Sequence, residues 1–180
     1  SATGYTGVAN TAMSFNGTTD KITSVSNIGI SGGSGRTMAF WAKIAADFSG
    51  YGEVFVTIGA GSPNTLFSMN YANAGQAGAT NRQPSLVGYT NDLLGNTILS
   101  LNTWYHFAVS YDGTTVKIFV NGILDNSAAK GYNTTNSQVT VGESTGVVSW
   151  GNFNGDMSDV RVYSRALSAN EVKGLYMRGR

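Results

Sequence analysis

The stretch Leu101–Gly122, LNTWYHFAVSYDGTTVKIFVNG, decides the fold. Two alternating apolar runs flank Asp112-Gly113. Tyr105, Phe107, Val109 and Tyr111 share one side of the first run, and Val116, Ile118 and Val120 share one side of the second. A side-chain period of two marks strands with one buried face. Asp-Gly between such runs signals a hairpin, because Gly takes the positive φ that a tight turn needs. Asn121-Gly122 stops the second run, so strands are predicted over 103–111 and 115–121.

Working outward, strand patterns recur at 11–15, 21–26, 37–45, 52–58, 64–71, 84–90, 137–142 and 155–163, separated by turn clusters such as Asn16-Gly17, Ser49-Gly50 and Asn152–Gly155. Many short strands at fairly even spacing predict an all-β sandwich or jelly roll. The connections are too short for crossover helices, so the pairing is antiparallel. One short helix is expected near the C-terminal end. Ser168-Ala169-Asn170-Glu171 has capping-box spacing, and Val172, Leu175 and Tyr176 then fall on one side. No repeat, linker or low-complexity tract divides residues 1–180, which read as a single domain.

At 180 residues the chain is long enough to bury a core without disulfides, and it has no cysteine. Eleven Lys and Arg against ten Asp and Glu give a net charge of +1, scattered along the sequence. Nucleic-acid binding needs a concentrated basic face, so it is not expected. Only 12% of residues are charged while Gly, Ser, Thr and Asn abound, which suits hydrogen bonding to neutral partners and equally suits many turns. No apolar run approaches the ~20 residues of a membrane span. The opening Ser1-Ala2-Thr3, without methionine, predicts a piece of a larger protein.

Four stretches together resemble the laminin-G-like domains of the concanavalin A-like lectin/glucanase superfamily. Ala12–Ile22 (AMSFNGTTDKI) is similar to the family's first strand and turn, and Thr37–Ala42 (TMAFWA) to its central strand with a buried tryptophan. The hairpin resembles its Trp-x-His stretch with the following Tyr-Asp-Gly and Asn-Gly turns, and Phe153–Tyr176 its last strand and short helix. The resemblance implies a jelly roll of two curved antiparallel sheets with one short C-terminal helix, a structural calcium in many members, and glycan binding or adhesion.

Calcium takes six to eight hard oxygen ligands. Asn16 and Asp20 offer oxygens around a Gly-containing bend, and the resemblance places Asp159 of the last strand beside them, so Asn16, Asp20 and Asp159 are the candidate Ca2+ ligands. Family members often carry Asp where this chain has Asn16, Thr19 and Ser158. The alternative is that Asp20 caps a turn and Asp159 pairs with Arg161.

Neutral sugars are held by an aromatic face under their C–H surface, with polar side chains at the hydroxyls. Tyr71, Asn81, Arg82, Tyr89, Tyr132, Trp150 and Asn152 are the candidates, Trp150 lying in a Gly-flanked loop. The alternative for the tyrosines is strand packing. Trp41 and Trp104 lie within strand patterns and read as structure, as does His106 on the side of its strand opposite the buried face.

Catalysis is not expected. Glycosidases need two carboxylates at fixed separation. The family's catalytic Glu-x-Asp-x-x-Glu is absent, and Glu53, Glu143 and Glu171 have no acidic neighbour in sequence. The expectation is therefore a non-catalytic carbohydrate-binding or adhesion module. Its partner would be a glycan or glycoprotein, its setting extracellular, cell-surface or virion-surface, and its display multivalent through a parent protein or particle. The competing expectation is a structural or protein-interaction domain without a sugar site.

Overall fold

The Leu101–Gly122 hairpin forms the heart of one sheet. The computed structural model describes residues 1–135, 138–143 and 150–178. The hairpin's arms are β8 (Trp104–Tyr111) and β9 (Thr115–Val120), paired antiparallel from Phe107 opposite Val120 to Tyr111 opposite Val116. At the tip, Asp112 Oδ1 accepts from the N–H groups of Thr114 and Thr115 at 2.9 and 2.8 Å, and Gly113 supplies the left-handed residue at φ 102°. The apolar side chains that alternate in the sequence all enter the main core, Tyr105 at its margin.

The same sheet contains β1 (Met13–Asn16), β3 (Arg36–Ile44), β10 (Ile123–Ala129) and β13 (Asn154–Tyr163), in the order β1-β13-β3-β8-β9-β10. The second sheet contains β2 (Ile22–Thr23), β4 (Gly52–Gly59), β5 (Leu66–Ala72), β6 (Gln83–Val87), β7 (Leu93–Leu94), β11 (Val139–Val141) and β12 (Gly151–Asn152). Its order is β2-β11-β4-β5-β6-β7, with β12 alongside β4. The β12–β4 contact is parallel, and every other strand pairing among the described residues is antiparallel. The architecture is the expected jelly-roll sandwich with one C-terminal helix, α1 (Ala169–Arg178).

Between the sheets Phe55 of β4 meets Phe107, Phe153 and Phe40 at ring-centroid distances of 5.1, 5.2 and 5.4 Å, in the offset and edge-on arrangements that aromatic quadrupoles favour. At one end of this core Arg36 is wholly buried, with no carboxylate partner among the described residues. Its Nε donates to Ser34 O at 2.9 Å, its Nη1 to Thr134 Oγ1 and its Nη2 to Gly32 O at 2.6 Å each. The guanidinium also lies over the rings of Phe67 and Tyr111.

The outer faces of the sheets differ. On the six-stranded sheet, Ala39, Ala108 and Phe119 are covered by Leu167 and by Val172 and Leu175 of α1. The helix starts as its sequence predicts. Glu171 N–H donates to Ser168 Oγ at 3.3 Å, and Glu171 Oε2 accepts from Ser168 N–H at 2.9 Å. On the seven-stranded sheet, β5 sends Phe67, Met69 and Tyr71 inward, leaving Leu66, Ser68, Asn70 and Ala72 on the outer side. There Thr57 and Ser68 share a 2.7 Å hydrogen bond, and Ser68 Oγ donates to Asn70 Oδ1 at 2.6 Å.

Three strands were not expected. β10 reads ILDNSAA, without alternation, because it is a largely exposed edge strand broken by a bulge between Leu124 and Asn126. β7 and β12 are two residues each, too short to show a period.

Candidate functional site

The three residues expected to hold calcium are not brought together. Asn16 ends β1, where its Oδ1 accepts from Thr18 N–H, Thr18 Oγ1, Thr19 N–H and Asp20 N–H at 2.9 to 3.2 Å. Asp20 Oδ2 in turn accepts from Asn16 N–H at 3.1 Å. Both oxygens serve the turn. In the β1–β13 register Asn16 faces Asn154 and Met13 faces Met157, so Asp159 lies beyond the opposite end of β1. Five residues of strand separate it from Asn154, roughly 15 Å. Asp159 sits on a bulge at φ 52°, and its Oδ1 accepts from Arg161 Nε at 2.7 Å. The alternative of a turn cap and an ion pair describes the geometry of these residues. Among the described residues no three His, Cys, Asp or Glu cluster as a metal site.

His106 lies on the outer side of its sheet, as expected, but it is buried there. Trp41 is its cross-strand partner at 5.4 Å, Tyr176 of α1 lies 6.1 Å away, and Tyr5 stacks on Trp41 at 4.3 Å. The rings of Trp41 and Tyr176 pack around the histidine, and among the described residues neither His106 Nδ1 nor Trp41 Nε1 has a hydrogen-bond partner. Burial pushes His106 down to about 4, because the imidazolium would lose its hydration.

Glu53 is the buried carboxyl of the other sheet, 3% exposed, with Oε2 accepting from Asn154 N–H at 2.9 Å. Desolvation pushes it up to about 7, against the lowering effect of that bond. Three other acids are tied to cations. Asp47 meets Arg82, Asp156 meets Lys43, and Asp159 meets Arg161.

The candidate sugar ligands divide. Tyr71 is wholly buried, and its hydroxyl accepts from Phe48 N–H and donates to Ala46 O, so its ring belongs to the core and offers no face for stacking. Tyr132 is also a core residue. Its hydroxyl donates to Asn91 O at 3.0 Å, and a Cβ on Gly88 would stand 2.5 Å from its ring, so it supports the loop after β6 from beneath. Arg82 clasps loops, with Nε on Leu99 O and Nη1 on Asp47, while its neighbour Asn81 is exposed. Asn152 Nδ2 donates to Thr18 O and ties β12 to the turn after β1.

Tyr89 and Trp150 do come together. With Tyr51, Gln76, Val87, Thr90 and Asp92 they line a depression of about 160 Å3 on the outer side of the seven-stranded sheet. Trp150 is buried rather than exposed, packed with Val54, Leu66, Ala72 and Val87, while the preceding Val147-Val148-Ser149 lie outside the described residues. Tyr51, 41% exposed, meets the Trp150 ring edge-on at 6.0 Å, and Tyr89, 36% exposed, is the other aromatic wall. Tyr89 and Thr90 take φ of 56° and 74°, a left-handed pair that is costly for a β-branched residue. The polar floor is preassembled. Asp92 accepts from Gly88 N–H at 2.9 Å and from Gln76 Nε2 at 3.1 Å, and Gln76 Oε1 accepts from Ser85 Oγ at 3.3 Å. Sequence reasoning missed Tyr51, Gln76, Thr90 and Asp92. Tyr51 carried a readable signal, since it stands between Gly50 and Gly52 as Trp150 stands before Gly151.

The family profile described as the concanavalin A-like lectin/glucanases superfamily matches residues 16–173. Comparison with curated protein sequences gives no match. Among solved structures, domain 4 of AbnA, a GH43 extracellular arabinanase from Geobacillus stearothermophilus in complex with arabinotriose, superposes with a TM-score of 0.68 at 20% identity, over 92% of this chain and 76% of that one. A heptameric SAP-like pentraxin from Limulus polyphemus gives 0.67 at 16%, over 92% and 81%. The receptor binding domain of botulinum neurotoxin D gives 0.65 at 16%, over 95% of this chain but 44% of that one. At these identities the likeness is one of fold.

Proposed function

The chain belongs to the concanavalin A-like lectin/glucanases superfamily, and on that premise we propose that it is a non-catalytic carbohydrate-binding module. The observation that carries the reading is the depression walled by Tyr51, Tyr89 and Trp150 over Gln76 and Asp92. Two half-open tyrosine rings can cover the C–H face of a sugar, and the amide and carboxylate beneath can meet its hydroxyls. Catalysis is no part of the reading. The buried Glu53 is held by Asn154 N–H, and Asp47, Asp156 and Asp159 are engaged by cations. The likeness to a domain of an extracellular arabinanase supports an extracellular setting, as an appendage of a larger protein. One small site of this kind binds modestly, so multivalent display would raise avidity.

Affinity electrophoresis through gels containing neutral polysaccharides, followed by calorimetry on the oligosaccharides that retard the protein, tests the reading. The double variant Tyr51→Ala/Tyr89→Ala should bind about tenfold or more weakly, since loss of each aromatic face removes about 1 kcal/mol. Retardation that the double variant leaves unchanged would overturn this site, and no retardation by any glycan would overturn the reading.

A protein-interaction domain is the second reading, favoured by a separate feature. A groove of about 600 Å3 opens between the β1 and β2 edges of the two sheets, floored by Phe15, Val141 and Met157. Its rim exposes Met13, Ile22 and Val160. Glycan-independent capture of a partner, abolished by Met13→Asp and untouched by the tyrosine variants, would favour this reading over the first.

A further inference from the structure

We propose that Asp92 makes the depression selective for neutral sugars, held through two neighbouring hydroxyls, and turns away sugars that carry a carboxylate. This rests on the carbohydrate-binding reading above and names its substrate class.

A carboxylate has about four acceptor positions. Two on Asp92 are committed, Oδ1 to Gly88 N–H and Oδ2 to Gln76 Nε2, so one position remains on each oxygen. The group cannot turn freely. Gln76 is itself 7% exposed and fixed by Ser85 Oγ, and the Gly88 amide belongs to a loop braced by Tyr132. Two acceptor positions on a fixed carboxylate match two adjacent hydroxyl donors on one sugar ring, in charge-assisted hydrogen bonds that are stronger than neutral ones. The orientation also suits the walls, because a ring whose hydroxyl edge meets Asp92 can turn its C–H face toward Tyr51 or Tyr89.

The same charge excludes. Among the described residues that line the depression, Asp92 is the charged one, and no lysine or arginine offsets it. A uronic or sialic acid bound there would bring its carboxylate against that of the half-buried Asp92, where the two like charges repel and salt can still reach them. The selectivity therefore comes from a repulsive element as well as an attractive one.

The test compares neutral arabinan and galactan oligosaccharides with polygalacturonate and alginate oligosaccharides by calorimetry, for the wild type and Asp92→Asn, at low and high salt. The wild type should bind at least one neutral probe at least about tenfold more tightly than either acidic probe. Asp92→Asn should narrow that gap from both sides. High salt should strengthen whatever acidic binding the wild type shows while leaving neutral binding unchanged, a readout that does not depend on the variant's folding. Acidic probes that bind as tightly as neutral ones, and lose binding in Tyr51→Ala/Tyr89→Ala, would overturn the selectivity and leave the carbohydrate reading standing. A gap that neither Asp92→Asn nor salt alters would overturn the role of Asp92. Failure of both probe classes to bind would overturn the reading and the inference together.

Discussion

The outer faces of the two sheets are built from opposite materials. The six-stranded sheet presents Ala39, Ala108 and Phe119 and closes them under α1, with Trp41 and His106 roofed by Tyr5 and Tyr176. The seven-stranded sheet presents Thr57, Ser68, Asn70 and Ser85 and leads through Gln76 to the open rim of Tyr51 and Tyr89. One face is a second core closed by a helix, while the other joins a bonded polar surface to a smaller apolar cluster around Trp150, with aromatic walls left open. The resemblance to the family is concentrated in the first, and the candidate chemistry in the second.

The comparison is broken most directly by truncating one anchor on each face. Trp150→Ala and Leu175→Ala should each destabilise the protein, by about 3–5 and about 2–5 kcal/mol respectively in urea unfolding. Only Trp150→Ala should also abolish glycan retardation measured under folding conditions. If Leu175→Ala weakens binding as much, the division between the faces fails.

The next largest effect is on the pH dependence of stability, where each sheet contributes one buried group of opposite sign. Glu53 is pushed up to about 7 in the folded protein. Its contribution is therefore fully present below the ordinary carboxylate range and is lost as pH rises through about 7. His106 is pushed down to about 4, so its contribution is present above the ordinary imidazole range and is lost as pH falls through about 4. Each amounts to roughly 3 kcal/mol, and between about pH 4.5 and 6.5 the two nearly cancel. Urea midpoints across this range should rise with pH in Glu53→Gln and fall with pH in His106→Phe. Parallel curves for wild type and both variants would show that neither group titrates as its surroundings dictate.

Smaller effects should separate helix from loop. Ser168→Ala removes the α1 cap and should cost about 1 kcal/mol without touching binding. Tyr132→Phe frees the carbonyl of Asn91 and should cost about 1 kcal/mol. It should also weaken glycan affinity a few-fold, because the loop that carries Tyr89 loses its brace. Equal effects of both variants on affinity would blur the distinction.

The sequence was most legible where a residue's role is local. The hairpin and its Asp112-Gly113 turn follow from a period of two and one turn dipeptide, and the α1 cap from a four-residue spacing. Legibility failed where a role depends on register. The placement of Asp159 is fixed by Asn16 facing Asn154 and by a bulge after Ser158, neither of which is written in the neighbouring residues. Gln76 and Asp92 are sixteen positions apart and meet only because β6 runs between their loops. The tyrosines illustrate the same limit. Tyr71 and Tyr89 read alike in sequence, yet one is sealed between the sheets and the other stands at a rim.

The neighbouring positions of β1 and β13 in one sheet set how the domain can be held. Ala2 pairs with Ala12 just before β1 at the sandwich edge, where Ser1 lines the groove between the sheets, whereas α1 lies on the outer face of the six-stranded sheet. The Tyr51–Tyr89 depression lies on the outer side of the other sheet, across the sandwich from α1. A linker or a sensor surface coupled through α1 would thus hold the domain by its back, with the aromatic-walled depression turned to the medium.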